Sequence, residues 1–191
     1  GLGLRIAPIG WSKPPAAEGQ LVVQGNLGSR PHIDLLELSA SGLNASGGQV
    51  SFRANGGLGT AAFSRVTTGG WLDAPVVLTG RGDGATPAVA LQGGSVDIRK
   101  TTLGTGSGSG DNTPGGPMSL QLDRVIISQG ISLTGFSGDF DTTSGMNGTF
   151  TGLVNGKTRV SGTLAPDRDG TAVRIQSSDA GGVLRDAGVL E

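Results

Sequence analysis

The 191-residue chain reads as all-β: an antiparallel meander forming a twisted, curved sheet or open groove, with one short C-terminal helix. The prediction rests on residues 118–177. There, apolar side chains recur at every second position in Leu120/Leu122, Ile131/Leu133 and Val173/Ile175, and with wider gaps in Phe136/Phe140 and Met146/Phe150. A period of two is that of a half-buried strand. Between these runs sit Gln129-Gly130, Asn155-Gly156 and Asp169-Gly170. Asn-Gly and Asp-Gly tolerate positive φ at both central turn positions, so they favour immediate antiparallel return.

The earlier part of the chain has the same character. Residues 4–11 and Pro14-Pro15 read as an incoming strand and a rigid turn, followed by a strand at 20–24 that ends at Gly25-Asn26. Residues 31–40 are ambiguous between a helical face (Ile33, Leu36, Ala40) and two strand faces offset by a bulge, with strand preferred. Val50/Phe52/Ala54 and Ala61/Phe63/Val66 suggest partner strands. Trp71–Pro75 reads as a turn into a strand at 76–79, and 88–92 with 95–99 as a pair joined at Gly93-Gly94. Residues 105–117, TGSGSGDNTPGGP, form the clearest flexible loop, set within one continuous β-rich unit spanning 1–191. At the end, Ser177-Ser178-Asp179 offers N-caps, Ala180, Val183, Leu184 and Ala187 follow helical spacing, and Gly188 suits a left-handed cap, which predicts a helix over about 179–187. Gly181-Gly182 weakens it by about 1 kcal/mol per glycine relative to alanine, so it depends on docking.

Composition narrows the function classes. The 37 glycines and nine prolines approach a quarter of the chain, there is no tyrosine, and the core must be built from Val, Ile, Leu and five Phe. A net charge of −1 with dispersed basic residues argues against nucleic acid. The absence of cysteine excludes thiol catalysis, disulfides and cysteine-ligated metals. No run is long enough to span a bilayer as a helix, and Gly1–Leu4 does not open a signal peptide, so the chain is expected to be a fragment of a larger protein whose targeting information lies elsewhere.

Individual motifs carry little chemistry. His32, the one histidine, follows Pro31 at a strand start and reads as a surface or edge residue, because a catalytic base needs placed partners. Asp139 and Asp141 flank Phe140 and read as a solvated outer face. Arg81-Gly82-Asp83 spells an integrin-recognition tripeptide whose chance occurrence is the simpler account. Asp167-Arg168-Asp169-Gly170 has too few oxygen ligands for a calcium loop. Gly-rich strings lack the strand, helix and Lys-Ser/Thr of a phosphate loop. No catalytic residue, metal site or cofactor is expected, and the chain reads as a non-enzyme.

The apolar stripe remains. Either it packs against a second sheet as a closed core, or it stays partly open as a groove for acyl chains; periodicity is compatible with both. The segments LDRVIISQGISLTGFSGDF, GTFTGLVNG, VSGTL and, most specifically, GTAVRIQSSDAGGVLRDAG within residues 120–191 resemble the AsmA-like superfamily of Gram-negative envelope proteins, in particular the C-terminal region of its YhdP- and TamB-type members. The resemblance implies a long curved β-groove in the periplasm, anchored in the inner membrane by a segment outside this chain. It further implies a part in phospholipid transport and outer-membrane integrity. The implied partners are phospholipid acyl chains and other segments of the same full-length protein. The residues expected to line the groove are Leu120, Leu122, Ile131, Leu133, Phe136, Phe140, Phe150, Val160, Leu164, Val173 and Ile175. The chain departs from the family in lacking the anchor and in being short. A structural or adhesive β-solenoid or sandwich repeat of a surface protein, with a closed apolar core, is the alternative.

Overall fold

A computed structural model describes residues 4–6, 11–13, 18–101, 115–168 and 170–189, the first two segments by their backbone. Strands β1 (Leu4–Ile6) and β2 (Trp11–Lys13) form a two-stranded antiparallel sheet of their own. All other described strands join one twelve-stranded sheet. Its first part comprises β3 (Gly19–Asn26), β4 (His32–Ala40), β5 (Leu43–Phe52), β6 (Leu58–Thr68) and β7 (Leu72–Thr79). Then come β8 (Ala88–Gln92), β9 (Ser95–Asp97), β10 (Pro117–Ser128), β11 (Ile131–Asp141), β12 (Asn147–Val154), β13 (Thr158–Asp167) and β14 (Gly170–Gln176). Except at β8 and β9, neighbours in sequence are neighbours in the sheet, and β3 and β14 are its two margins. The ambiguous segment at 31–40 is strand, with bulges that let Ile33, Leu36 and Leu38 share one face.

One junction departs from the sequence expectation. Residues 88–92 and 95–99 do not form a hairpin: β8 and β9 lie end to end in one lane between β7 and β10. Gly93 and Gly94, at φ +82° and +77°, kink the lane instead of reversing it. Gly94 presses against the backbone of β7, where a β-carbon would come within 2.6 Å of the Ala74 Cα. The Asp123 carboxylate accepts from the Gly94 N–H at 2.8 Å, while the Asp123 N–H donates to the Gly94 carbonyl at 3.0 Å, which fastens the kink to β10. A 3₁₀ turn over Ile98–Lys100 follows β9. Strand β10 then runs parallel to β8 and β9, the single parallel seam of the sheet, so the link between Lys100 and Gly115 joins opposite ends of the strands. Of the loop expected at 105–117, residues 105–114 lie outside the described residues and Pro117 already belongs to β10. Pro14-Pro15 and Asp169 lie outside them as well.

The chain ends in helix α1 (Ala180–Asp186), whose N-cap Asp179 accepts from the Gly182 N–H at 2.7 Å. No helix among the described residues is long and apolar enough to cross a membrane.

A twisted sheet this wide curls, and the side it curls toward is marked by burial. Buried apolar residues from β5 through β13 form one cluster on a single face, with Leu43 at 1% and Val160 at 2% exposure. On the opposite face a polar ladder of Gln121, Ser137, Thr151, Ser161 and Gln176 crosses β10 to β14, while Ala62, Val77 and Ala90 lie opposite one another across β6 to β8.

Candidate functional site

The registers align the apolar face in rows that cross the strands. At one end Leu43, Thr68, Leu72, Val96, Val125, Leu133 and Val154 stand opposite one another in β5, β6, β7, β9, β10, β11 and β12. Each is buried, Leu72 and Leu133 to 4%. Trp71, Val183 of α1 and Ala187, which caps the helix C-terminus, pack against this cluster, so this end is sealed.

Toward the other end a second row runs across ten strands: Ile33, Val50, Ala61, Leu78, Val89, Met118, Phe140, Gly148, Leu164 and Val173. Phe140 and Ala61 are buried in it. Leu78, Val89, Met118 and Leu164 are half-buried, and Val173 is 57% exposed. The same apolar surface therefore passes from closed core to half-open wall within the length of a strand.

Between the rows lies an aromatic step. Phe136 stacks on Phe140 at 6.3 Å and on Phe150 at 5.5 Å between ring centroids. Glycines make room for these rings. The ring of Phe150 fills the space beside Gly162, and that of Phe140 lies 2.7 Å from where a β-carbon on Gly138 would stand. Phe140 covers a glycine of its own strand, whereas Phe150 covers one on the adjacent strand, a contact that knits a sheet whose aromatic content is low.

The structure sorts the eleven residues anticipated from sequence. Leu122, Leu133, Phe136, Phe140, Phe150 and Val160 are buried in the cluster. Leu120 and Leu164 pack against it half-exposed, and Ile131 is half-buried at the start of β11. Val173 and Ile175 are on the same face but 57% and 54% exposed, because β14 has no neighbour beyond it. Sequence reading missed the contributions of Leu43, Leu72, Leu91, Val96 and Val125. The period-two signal existed around them, but only the register reveals that both halves of the chain build one face.

Polar groups at the sealed end are structural. Asp97, buried to 6%, accepts from Arg99 Nε at 2.8 Å, Arg99 Nη2 at 2.7 Å and the Arg99 N–H at 3.1 Å. These bonds to Arg99 hold its carboxyl at about 2, against the opposing effect of desolvation. Asn155 occupies the β12–β13 turn at φ +47°. Its Oδ1 accepts from the Ser132 N–H at 2.9 Å, and its Nδ2 donates to the carbonyls of Gly130 at 2.8 Å and Asp186 at 2.6 Å, which ties α1 to two turns at once. Thr158 Oγ1 adds a bond of 2.7 Å to the Asp186 carboxylate.

The other singled-out residues lie away from the apolar face. His32 faces the Arg30 carbonyl at 3.0 Å and Asp34 at 3.4 Å, all exposed. Asp139 lines a shallow depression of about 500 Å³ on the polar face together with Thr149, Thr163 and Arg174. The Asp141 carboxylate accepts from the Thr143 N–H at 2.7 Å. Arg81, Gly82 and Asp83 are exposed between β7 and β8. Among the described residues no three His, Cys, Asp or Glu side chains come together as a metal site.

The molecule is thus an open-margined β-meander with a polar outer face and a tapered apolar inner one. No protein-family model, curated protein or solved structure matches the chain.

Proposed function

We propose that this chain is a non-enzymatic lipid-binding segment of a larger envelope protein, in which acyl chains lie along the half-open part of the apolar face. One observation supports the reading above the others: the apolar rows do not stop where the core closes, but continue through Leu78, Met118 and Leu164 to the exposed Val173. Each methylene removed from water contributes about 0.8 kcal/mol, so a wall of Val, Leu, Met and Phe holds an acyl chain without any nucleophile, base or metal. A wall with few polar anchors imposes little selectivity and lets the chain slide, which suits transfer. The resemblance of residues 120–191 to AsmA-like proteins supports a periplasmic setting, phospholipid as cargo, an inner-membrane anchor elsewhere in the full-length protein, and a role in envelope integrity.

A structural repeat with a closed core is the second reading, favoured by the sealed row that buries Leu43 to 1%. The two differ at Leu164. A benzophenone side chain at Leu164, half-buried on the apolar face, is expected to capture lipid in cells, and one at Thr163, on the polar face, is not. Capture at neither position by a folded protein favours the structural reading.

A further inference from the structure

We propose that the two margins of the sheet pair with each other between copies of this chain, β14 of one copy adding to β3 of the next. Every residue of β3 is exposed, Leu21 at 63% and Val23 at 50%, and on the far margin Ile175 is exposed at 54%. Sheet margins are ordinarily protected by charge or proline. Strand β3 carries neither, and β14 carries only Arg174. Leu21 lies opposite Leu38 and Val23 opposite Leu36, so β3 extends the apolar face to its margin as Ile175 does at the other.

The direction of the two strands fits this pairing. Strand β3 leaves the sealed end, where Gly19 pairs with Ala40, and β14 runs back toward that end, from Gly170 to Gln176 opposite Ser161. Strict alternation across eleven lanes would leave the margins running the same way; the one parallel seam reverses that. A copy shifted sideways with its sealed end aligned therefore offers β3 antiparallel to β14, the pairing used almost everywhere else in the sheet.

Charge favours this arrangement over the pairing of β14 with itself. Glu37 lies beside the β3 margin, opposite Val22, and Arg174 lies on β14; neither is ion-paired among the described residues. Joining unlike margins brings them toward each other. Pairing β14 with β14 instead sets Arg174 beside its own copy on the neighbouring strand. The contact is heterologous, so it extends in one direction and grows with concentration. It does not depend on lipid binding.

The chain has no cysteine, so cross-links report only introduced sites. Ala172→Cys combined in turn with Gln20→Cys, Val22→Cys or Gln24→Cys covers registers two residues either way. Under mild oxidation at least one double variant is expected to give a reducible ladder of covalent multimers, and mixing its two single variants to give dimers only. The unmodified chain is expected to sediment as larger species with rising concentration, and less so at high salt. The proposal is overturned if single variants cross-link only to themselves. A folded chain that stays monomeric at its highest soluble concentration and low salt, with no cross-link in any pair, overturns it equally.

Discussion

The ring of Phe150 fills the space that a β-carbon on Gly162 would need, one strand away in direct register. The two residues act as one packing unit. Gly162→Ala is expected to destabilise the protein by about 1–3 kcal/mol through overpacking. Phe150→Leu, by shortening the side chain against the same glycine, is expected to relieve part of that cost. A double-mutant cycle in urea therefore should give a coupling energy of about 1 kcal/mol or more, and strict additivity would contradict the packing described.

Asn155 is the one non-glycine residue at positive φ among those described, and its side chain joins the Gly130 turn, β11 and α1. Asn155→Ala leaves the N–H of Ser132, itself 4% exposed, without its acceptor, at about 1–3 kcal/mol. Faster amide exchange over residues 180–187 should accompany the loss, because the helix is held partly through this amide. Asn155→Gly, which removes the strain but not the lost bonds, is expected to show the same helix exchange with a smaller fall in stability.

Acid should act through Asp97. Its carboxyl lies at about 2 when folded, below the ordinary value of 3.8, because Arg99 binds the charged form. A depressed folded value means the stabilisation is complete above about 3.8 and is lost as pH falls through about 2. Asp97→Asn should therefore melt below the unmodified protein at neutral pH, and the two melting temperatures should converge between pH 4 and 2. Asp73, lowered by its hydrogen bonds to Arg65, adds a slope of the same sign that the variant leaves in place.

The taper itself is testable by truncation. Leu43→Ala, at 1% exposure in the sealed row, is expected to cost about 2–5 kcal/mol. Leu164→Ala, half-exposed, should cost distinctly less while reducing lipid capture from a probe at neighbouring Val173. Equal costs at the two sites would contradict the gradient in burial.

Much of this architecture was legible in the order of residues. Alternation marked the strands and sorted the faces correctly for Leu122, Phe136, Phe140 and Phe150, and Asp179 with Gly188 bracketed the helix. What alternation does not encode is which strand lies beside which. Gly93-Gly94 reads as a reversal because positive φ at two adjacent glycines serves a hairpin as well as a kink; only the press of Gly94 against Ala74 and its bonds to Asp123 separate the two. The parallel seam had no local signal at all. Val173 and Ile175 were assigned to the right face, but their exposure depends on β14 being a margin, a property of the whole sheet.

The parallel seam has a consequence for how the molecule forms. Elsewhere each strand meets the one just made, apart from β9, which returns to β7, so residues 18–101 and 115–176 can each zip through short loops at low entropic cost. The seam alone waits on a distant closure, that of β10 onto β8 and β9, with Asp123 arriving at a glycine 29 positions earlier. Two rapidly formed halves joined by one slow closure would make the Gly94–Asp123 contact the last native pairing to appear and the step that sets the folding rate.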